Sequence, residues 1–240
     1  MTTTALDFLN GFIRLLIYFI ICAASALALR KATRVPVELF RKILHLILLG
    51  SIFIFLYAYE TWWISALSAA GFAVIVYPIL SFAERIPGYS RLLTERKEGE
   101  IKKSLLVVFF MFTALICVCW GLLDKKYFAL ASILGWGVGD GVAALAGKRF
   151  GKHYLEGAMI EGRKTVEGSA AMFASSFLTI CAVLSSHNAA PASMIIPVAA
   201  LTSAVNAVVE LYTRNGMDTI TCPFASATVM IPLIYLLGAM

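Results

Sequence analysis

Apolar residues in this chain come in continuous runs, not in an alternating pattern. Runs of about 20 residues are each long enough to cross a hydrocarbon core as a helix. They predict spans near 11–29, 43–59, 62–83, 104–123, 127–147, 167–185, 193–212 and 220–239. In lipid every backbone N–H and C=O must be paired within the protein, which leaves helices or a closed barrel. A barrel strand alternates apolar and polar positions, so continuous runs select helices. The expected fold class is all-α, a polytopic transmembrane helical bundle of about eight spans, with seven and nine as the adjacent counts. It is expected to form a single domain over residues 1–240. Spans five and seven carry the most polar residues.

Composition agrees. The chain is 60% hydrophobic and only 14% charged, with a mean hydropathy of +0.86. That is more apolar residue than a soluble domain of this size uses. Cys22, Cys117, Cys119, Cys181 and Cys222 all lie in apolar runs and none forms a C-x-x-C pair. They read as small packing residues. The stretch before the first run holds Asp7 and no Lys or Arg, the reverse of a signal-peptide n-region, so the first run is expected to stay as a helix. Tyr57, Tyr59, Trp62 and Trp63 suit an interfacial aromatic belt.

The charges set an expected orientation. Of the 20 basic residues, 17 lie in four alternate connections, 30–42, 84–103, 148–166 and 213–219. The other side has only Arg14, Lys125 and Lys126. The positive-inside rule then puts those four connections in the cytoplasm and both termini outside. The net charge of +6 suits anionic headgroups and nucleotides. Nothing resembles the aromatic-basic interleaving of a nucleic-acid surface, so no nucleic-acid partner is expected. Within connection 84–103, residues 95–100 predict a short surface helix.

One segment carries chemistry. Gly137-Val138-Gly139-Asp140-Gly141 sets an aspartate among glycines inside span five. A carboxylate within a span is costly and points to function. Glycines let backbone N–H groups approach phosphate oxygens closely. In the expected orientation Asp140 falls at the cytoplasmic level. So do Arg41 and His45, which share a helix face, and Lys164 and Glu167 at the mouth of span six. Asn206 and Glu210 lie near the end of span seven, and Asp218 opens span eight. Lys164 and Glu167, three apart, are expected to face one site.

Such a cluster suits phosphoryl or nucleotidyl transfer to a lipid. Mg²⁺ wants carboxylate oxygens plus phosphates, and Asp140, Glu167, Glu210 and Asp218 are the candidate ligands. Lys164, Arg163 and Arg41 can neutralise phosphate charge. There is no P-loop and no G-x-G-x-x-G. Other readings stand beside these. The glycines can serve tight helix packing, Asp140 can pair with a basic residue, and His45 can be a packing histidine. Lys164 and Arg163 can be topology signals, and Glu210 with Asn206 can form an interhelical clamp.

The motifs also carry a resemblance. Gly139-Asp140-Gly141-Val142-Ala143, Gly147-Lys148-Arg149-Phe150-Gly151 and Lys164-Thr165-Val166-Glu167-Gly168-Ser169 resemble the phytol kinase and dolichol kinase family. Arg41-Lys42-Ile43-Leu44-His45 with Gly50 is similar to that family's early motif. Glu210, then Asp218-Thr219-Ile220-Thr221-Cys222-Pro223, is similar to its late one, Thr219 standing where asparagine is usual. The resemblance spans residues 38–225. It implies an integral membrane kinase that takes CTP, or sometimes another nucleotide, as donor and an isoprenoid alcohol as acceptor; the triphosphate in turn calls for Mg²⁺ as cofactor. It also implies Asp140, Lys164, Glu167 and His45 as catalytic residues. Gly139, Gly141, Lys148, Arg163, Lys164, Thr165 and Arg41 would contact the nucleotide.

Phosphatidate cytidylyltransferases share the aspartate, the Gly-x-x-Phe-Gly run and the Lys-Thr-x-Glu-Gly ending. Theirs has a serine-proline-lysine lead-in, where this chain has Ile160-Glu161-Gly162-Arg163. A CTP-dependent lipid-alcohol kinase is the expected function, with phytol, a polyprenol or diacylglycerol as acceptor. Cytidylyl transfer is the runner-up, and a non-enzymatic transporter or lipid-binding protein is the third reading. The oligomeric state is left open.

Overall fold

The computed structural model describes residues 3–85, 99–157, 160, 162–214 and 216–237. The expected surface helix at 95–100 lies largely outside them. The architecture is all-α, and among the described residues eight helices are long and apolar enough to cross a membrane. These are Thr4–Ala32, Val37–Tyr57, Trp62–Ala83, Ile101–Leu122, Lys126–Phe150, Val166–Ser186, Ala192–Tyr212 and Asp218–Leu236. All eight expected spans are present. The protein is an integral, multi-pass membrane protein. Its contacts fall into two compact units, Met1–Asp124 and Lys125–Met240.

The first unit holds α1 (Thr3–Ala32), α2 (Val37–Gly50), α3 (Ile52–Tyr57), α4 (Trp62–Ala83) and α5 (Glu100–Leu115). Two helices run past their apolar stretches. Helix α1 exceeds the expected 11–29, and α2 starts at Val37 rather than 43. Helical hydrogen bonds are indifferent to side-chain polarity, and long basic side chains can lie along a helix with their heads in water. The extension is supported by Arg41 and Glu38, one turn apart and 3.0 Å from each other.

Two irregularities were not expected. Ser51 breaks the second span between α2 and α3, its hydroxyl donating to the Leu48 carbonyl at 2.7 Å. The fourth span ends as a π-helix over Ile116–Leu122. An aromatic cluster forms the unit's core, with Phe72 and Phe109 ring centroids 5.0 Å apart and Phe55 edge-on to Phe109 at 5.7 Å.

The second unit holds α6 (Lys126–Phe150), α7 (Val166–Ser186), α8 (Ala192–Tyr212) and α9 (Asp218–Leu236). Helix α6 packs on α7, α7 on α8, α8 on α9, and α9 back on α6. Between α6 and α7 a small antiparallel hairpin pairs β1 (Tyr154–Leu155) with β2 (Lys164–Thr165). Its partners are Tyr154 with Thr165 and Leu155 with Lys164. Gly162, just ahead of β2, takes φ +77°, a left-handed conformation that glycine adopts without steric cost.

The crossing of α6 and α7 follows from one residue per turn on each helix. A Cβ on Gly135 would meet Ile180 Cγ1 at 2.8 Å, and one on Gly139 would meet Met172 Sδ at 3.2 Å. One on Gly147 would meet Thr165 Oγ1 at 3.1 Å, and one on Gly168 the Ala143 carbonyl oxygen at 3.3 Å. Residues 135, 139, 143 and 147 are spaced by four and share a face, so two backbones approach along a small-residue stripe.

Gly135 lies outside the motifs that suggest chemistry, so it isolates the packing role. Gly135→Leu is expected to destabilise the protein by about 1–3 kcal/mol or more, the usual range for overpacking. Gly71→Leu, where a Cβ meets nothing within 4 Å, is expected to leave stability nearly unchanged. Thermal melts of both variants in detergent check the contrast, and equal melting temperatures would remove the packing role.

Candidate functional site

The sequence places most of its suspect residues at one end of the second unit. There α6 and α8 finish while α7 and α9 begin. The hairpin connects α6 to α7 across that end, so β2 delivers Lys164 directly ahead of α7.

Lys164 is held by α8. Its Nζ lies 2.5 Å from Glu210 Oε1 and also donates to the Glu210 backbone carbonyl. Both side chains are about four-fifths buried, at 20% and 15% exposure. Glu210 sits in the last turn of α8, where carbonyls lack helical donors. A cation there meets both a carboxylate and the negative end of the helix dipole. Two of the three ammonium donors are thereby used.

Thr165 is buried and forms the N-cap of α7, its Oγ1 accepting from the Gly168 N–H at 3.1 Å. This is the usual N-cap geometry, and it needs the close approach that glycine at 168 allows.

Glu167 takes a different partner from Lys164. Its Oε1 accepts from His153 Nδ1 at 2.7 Å, and its two oxygens accept from the His153 backbone N–H at 3.3 and 3.4 Å. The helical spacing that suggested a shared face for Lys164 and Glu167 does not apply. Lys164 lies in β2, not in the helix, so the i, i+3 rule does not connect them. His153 was missed by sequence reasoning, because a lone histidine in a polar connection carries no spacing signal.

Asp140 lies in α6 and Asp218 opens α9, both half-buried. The buried Cys222 thiol lies within electrostatic reach of Asp218, Glu210 and Asp140. Carboxylates of three helices thus act on one residue of α9. Among the described residues, no three His, Cys, Asp or Glu side chains are grouped closely enough to hold a metal by themselves.

The four candidate metal ligands do not form a cage. Asp140, Glu210 and Asp218 share only electrostatic reach of Cys222, while Glu167 stands with His153. Gly139 packs on Met172, whereas a Cβ on Gly141 would enter open space. Lys148, Arg149 and Arg163 are exposed. In the first unit, α2 carries Arg41 and His45 one turn apart. Arg41 Nη2 pairs with Glu38, and its buried Nη1 has no hydrogen-bond partner among the described residues.

One turn below Glu210 is a wholly buried polar node. Asn206 Nδ2 donates to Ser176 Oγ at 3.0 Å, and Ser226 Oγ donates to Asn206 Oδ1 at 2.6 Å. One amide thus links α7, α8 and α9. The expected clamp of Asn206 with Glu210 is divided between two levels: Asn206 joins the helices, and Glu210 holds Lys164.

Over 216 residues the chain is 30% identical to a phytol kinase of Synechocystis sp., covering 85% of this chain and 83% of that protein. No protein-family model matches the chain, and no solved structure does.

Asn206→Ala leaves the Ser176 and Ser226 hydroxyls without their shared partner. The expected loss is about 1–2 kcal/mol, the scale of an interhelical hydrogen bond and a stranded polar group. Thermal unfolding in detergent reads it. An unchanged midpoint would show that the node does not hold the helices together.

Proposed function

Because this chain belongs to the phytol kinase family, we propose that it transfers the γ-phosphoryl group of CTP to the hydroxyl of a membrane lipid alcohol. Phytol, a polyprenol such as dolichol, and diacylglycerol are the acceptor classes. The observation that carries this reading is the pairing of Lys164 with Glu210 at the end of the second unit where Asp140 and Asp218 also lie within electrostatic reach of Cys222. That end of the bundle offers carboxylates and a cation together, which a metal-bound triphosphate requires.

In the reaction the lipid oxygen attacks the γ-phosphorus. A new O–P bond forms as the bond to the β–γ bridging oxygen breaks. CDP leaves with that electron pair, and the hydroxyl proton passes to a neighbouring carboxylate or to water. Lys164 neutralises charge on the transferring group, the largest task in this chemistry. Asp140 and Asp218 are the residues proposed to hold Mg²⁺. Bound there, the ion would supply charge neutralisation to the phosphates. A small set of protein carboxylates fits it, because Mg²⁺ fills its shell with phosphate oxygens and water. Gly141, with open space where a Cβ would stand, is proposed to lie along the nucleotide, and the exposed Arg163 and Lys148 to meet it from solution.

The charge bias supports a cytoplasmic site with both termini outside, since 17 of 20 basic residues lie in connections on one side. Lys152→Cys is expected to resist an impermeant thiol reagent in intact cells and to react after permeabilisation. Efficient labelling in intact cells would reverse the orientation.

Purified protein with CTP labelled at either the γ or the α phosphate, and a panel of lipids, tests the activity. Label in the lipid from the γ position is expected. Label from the α position would mean cytidylyl transfer, and none across the panel would favour a non-enzymatic role. Asp140→Asn is expected to abolish transfer in a folded protein. Lys164→Ala should cost about 10²-fold or more in turnover. Lys164→Arg should not restore it fully, because a planar fork replaces a compact charge. Near-normal turnover in a folded Asp140→Asn variant would reject the metal role.

A further inference from the structure

Residue 153 makes an unusual number of contacts for an exposed position. Its backbone N–H donates to both oxygens of Glu167, its ring Nδ1 lies 2.7 Å from Oε1, and its carbonyl accepts from the Val166 N–H at 3.0 Å. Three groups of one residue are thus spent on the first turn of α7. The next two residues form β1, which pairs with Lys164 and Thr165 of β2. The chain of dependence runs from Glu167 to His153, to β1, to β2 and to the Lys164 side chain on Glu210.

A ladder of two residues has little stability of its own, so the hairpin's position must be set by what ties it down. Thr165 is fixed at one end by its capping bond. At the other end the tie is His153. The ring is 77% exposed and Glu167 27% exposed. A solvated contact of this kind adds little to global stability. Its consequence is geometric.

We infer that His153 is a positioning residue: acting through Glu167 and the two-stranded hairpin, it holds Lys164 on Glu210 at the end of the helix bundle. On this account Glu167 is a brace of the hairpin. The kinetic consequence rests on the lipid-kinase reading, whereas the placement of Lys164 does not.

The experiment therefore reads Lys164 itself. Detergent-solubilised wild type, His153→Ala, His153→Asn and Glu210→Gln are treated with an amine-acylating reagent, and modification of Lys164 is timed by peptide mass spectrometry. Glu210→Gln removes the counter-charge and calibrates a released lysine. His153→Ala is expected to raise the Lys164 labelling rate several-fold, with an unchanged melting temperature. His153→Asn is expected to return it toward wild type, because the amide N–H can stand in for Nδ1–H. With CTP and an accepted lipid, His153→Ala should lower kcat more than it raises KM for CTP, in the direction of Lys164→Ala, and His153→Asn should reverse this.

Wild-type labelling in His153→Ala beside fast labelling in Glu210→Gln would overturn the inference. So would equal labelling in all four proteins, since Lys164 would then not be held on Glu210. Failure of His153→Asn to restore either readout would overturn it as well. A wild type inactive with every donor and lipid would count against the kinase reading alone, and the labelling would still decide the placement.

Discussion

An ammonium group at the end of a membrane helix bundle must find water or an anion, and Lys164 finds Glu210. The contact costs two long side chains their freedom, and both are mostly buried. Removing either partner strands the other charge where solvent cannot fully screen it. The pair fixes the strand β2 against α8. Through β2 it fixes the start of α7, whose N-cap is the next residue, Thr165. The candidate site depends on this contact because it ties a connecting segment to a helix that also carries the buried Asn206. The Lys164 charge and helix packing are coupled through one short stretch of α8.

Glycines and small polar residues divide the remaining work. Gly135, Gly139, Gly147 and Gly168 let α6 and α7 approach so closely that an added Cβ would crowd its neighbours. That close approach sets the position of Asp140 on α6 relative to α7. Asn206 performs a matching task between α7, α8 and α9 by satisfying hydroxyls from two other helices. Apolar contact alone gives little direction in lipid, because the surrounding tails are equally apolar. Shape and hydrogen bonding then decide which helix faces meet, and here they lie next to the carboxylates.

The eight spans were legible because length and continuity of apolar residues are imposed by the bilayer. The motif at 139–141 and the Lys-Thr-x-Glu-Gly run were legible because charge inside or beside a span is rare. What could not be read was partnership. Glu167 and Glu210 look alike in sequence, yet one braces His153 and the other holds Lys164. Spacing treats 164 and 167 as helical neighbours, but a two-residue strand turns the first away. His153 gave no signal, and neither did the break at Ser51 or the π-helical end of the fourth span. The His153 contact is tertiary, with a partner 14 residues away that no local pattern encodes. The glycines of span five carried two readings at once. Gly139 faces a neighbouring helix and Gly141 faces open space, a distinction that depends on which side of α6 is covered.

The coupling between Lys164 and Glu210 is the most direct measure of this account. A double-mutant cycle with Lys164→Ala and Glu210→Ala, read on kcat/KM for CTP in protein checked for folding, isolates it. The account predicts non-additive losses, with an interaction of about 1 kcal/mol or more, as expected for residues in one contact. Strictly additive losses would contradict it, because the two side chains would then act at separate places.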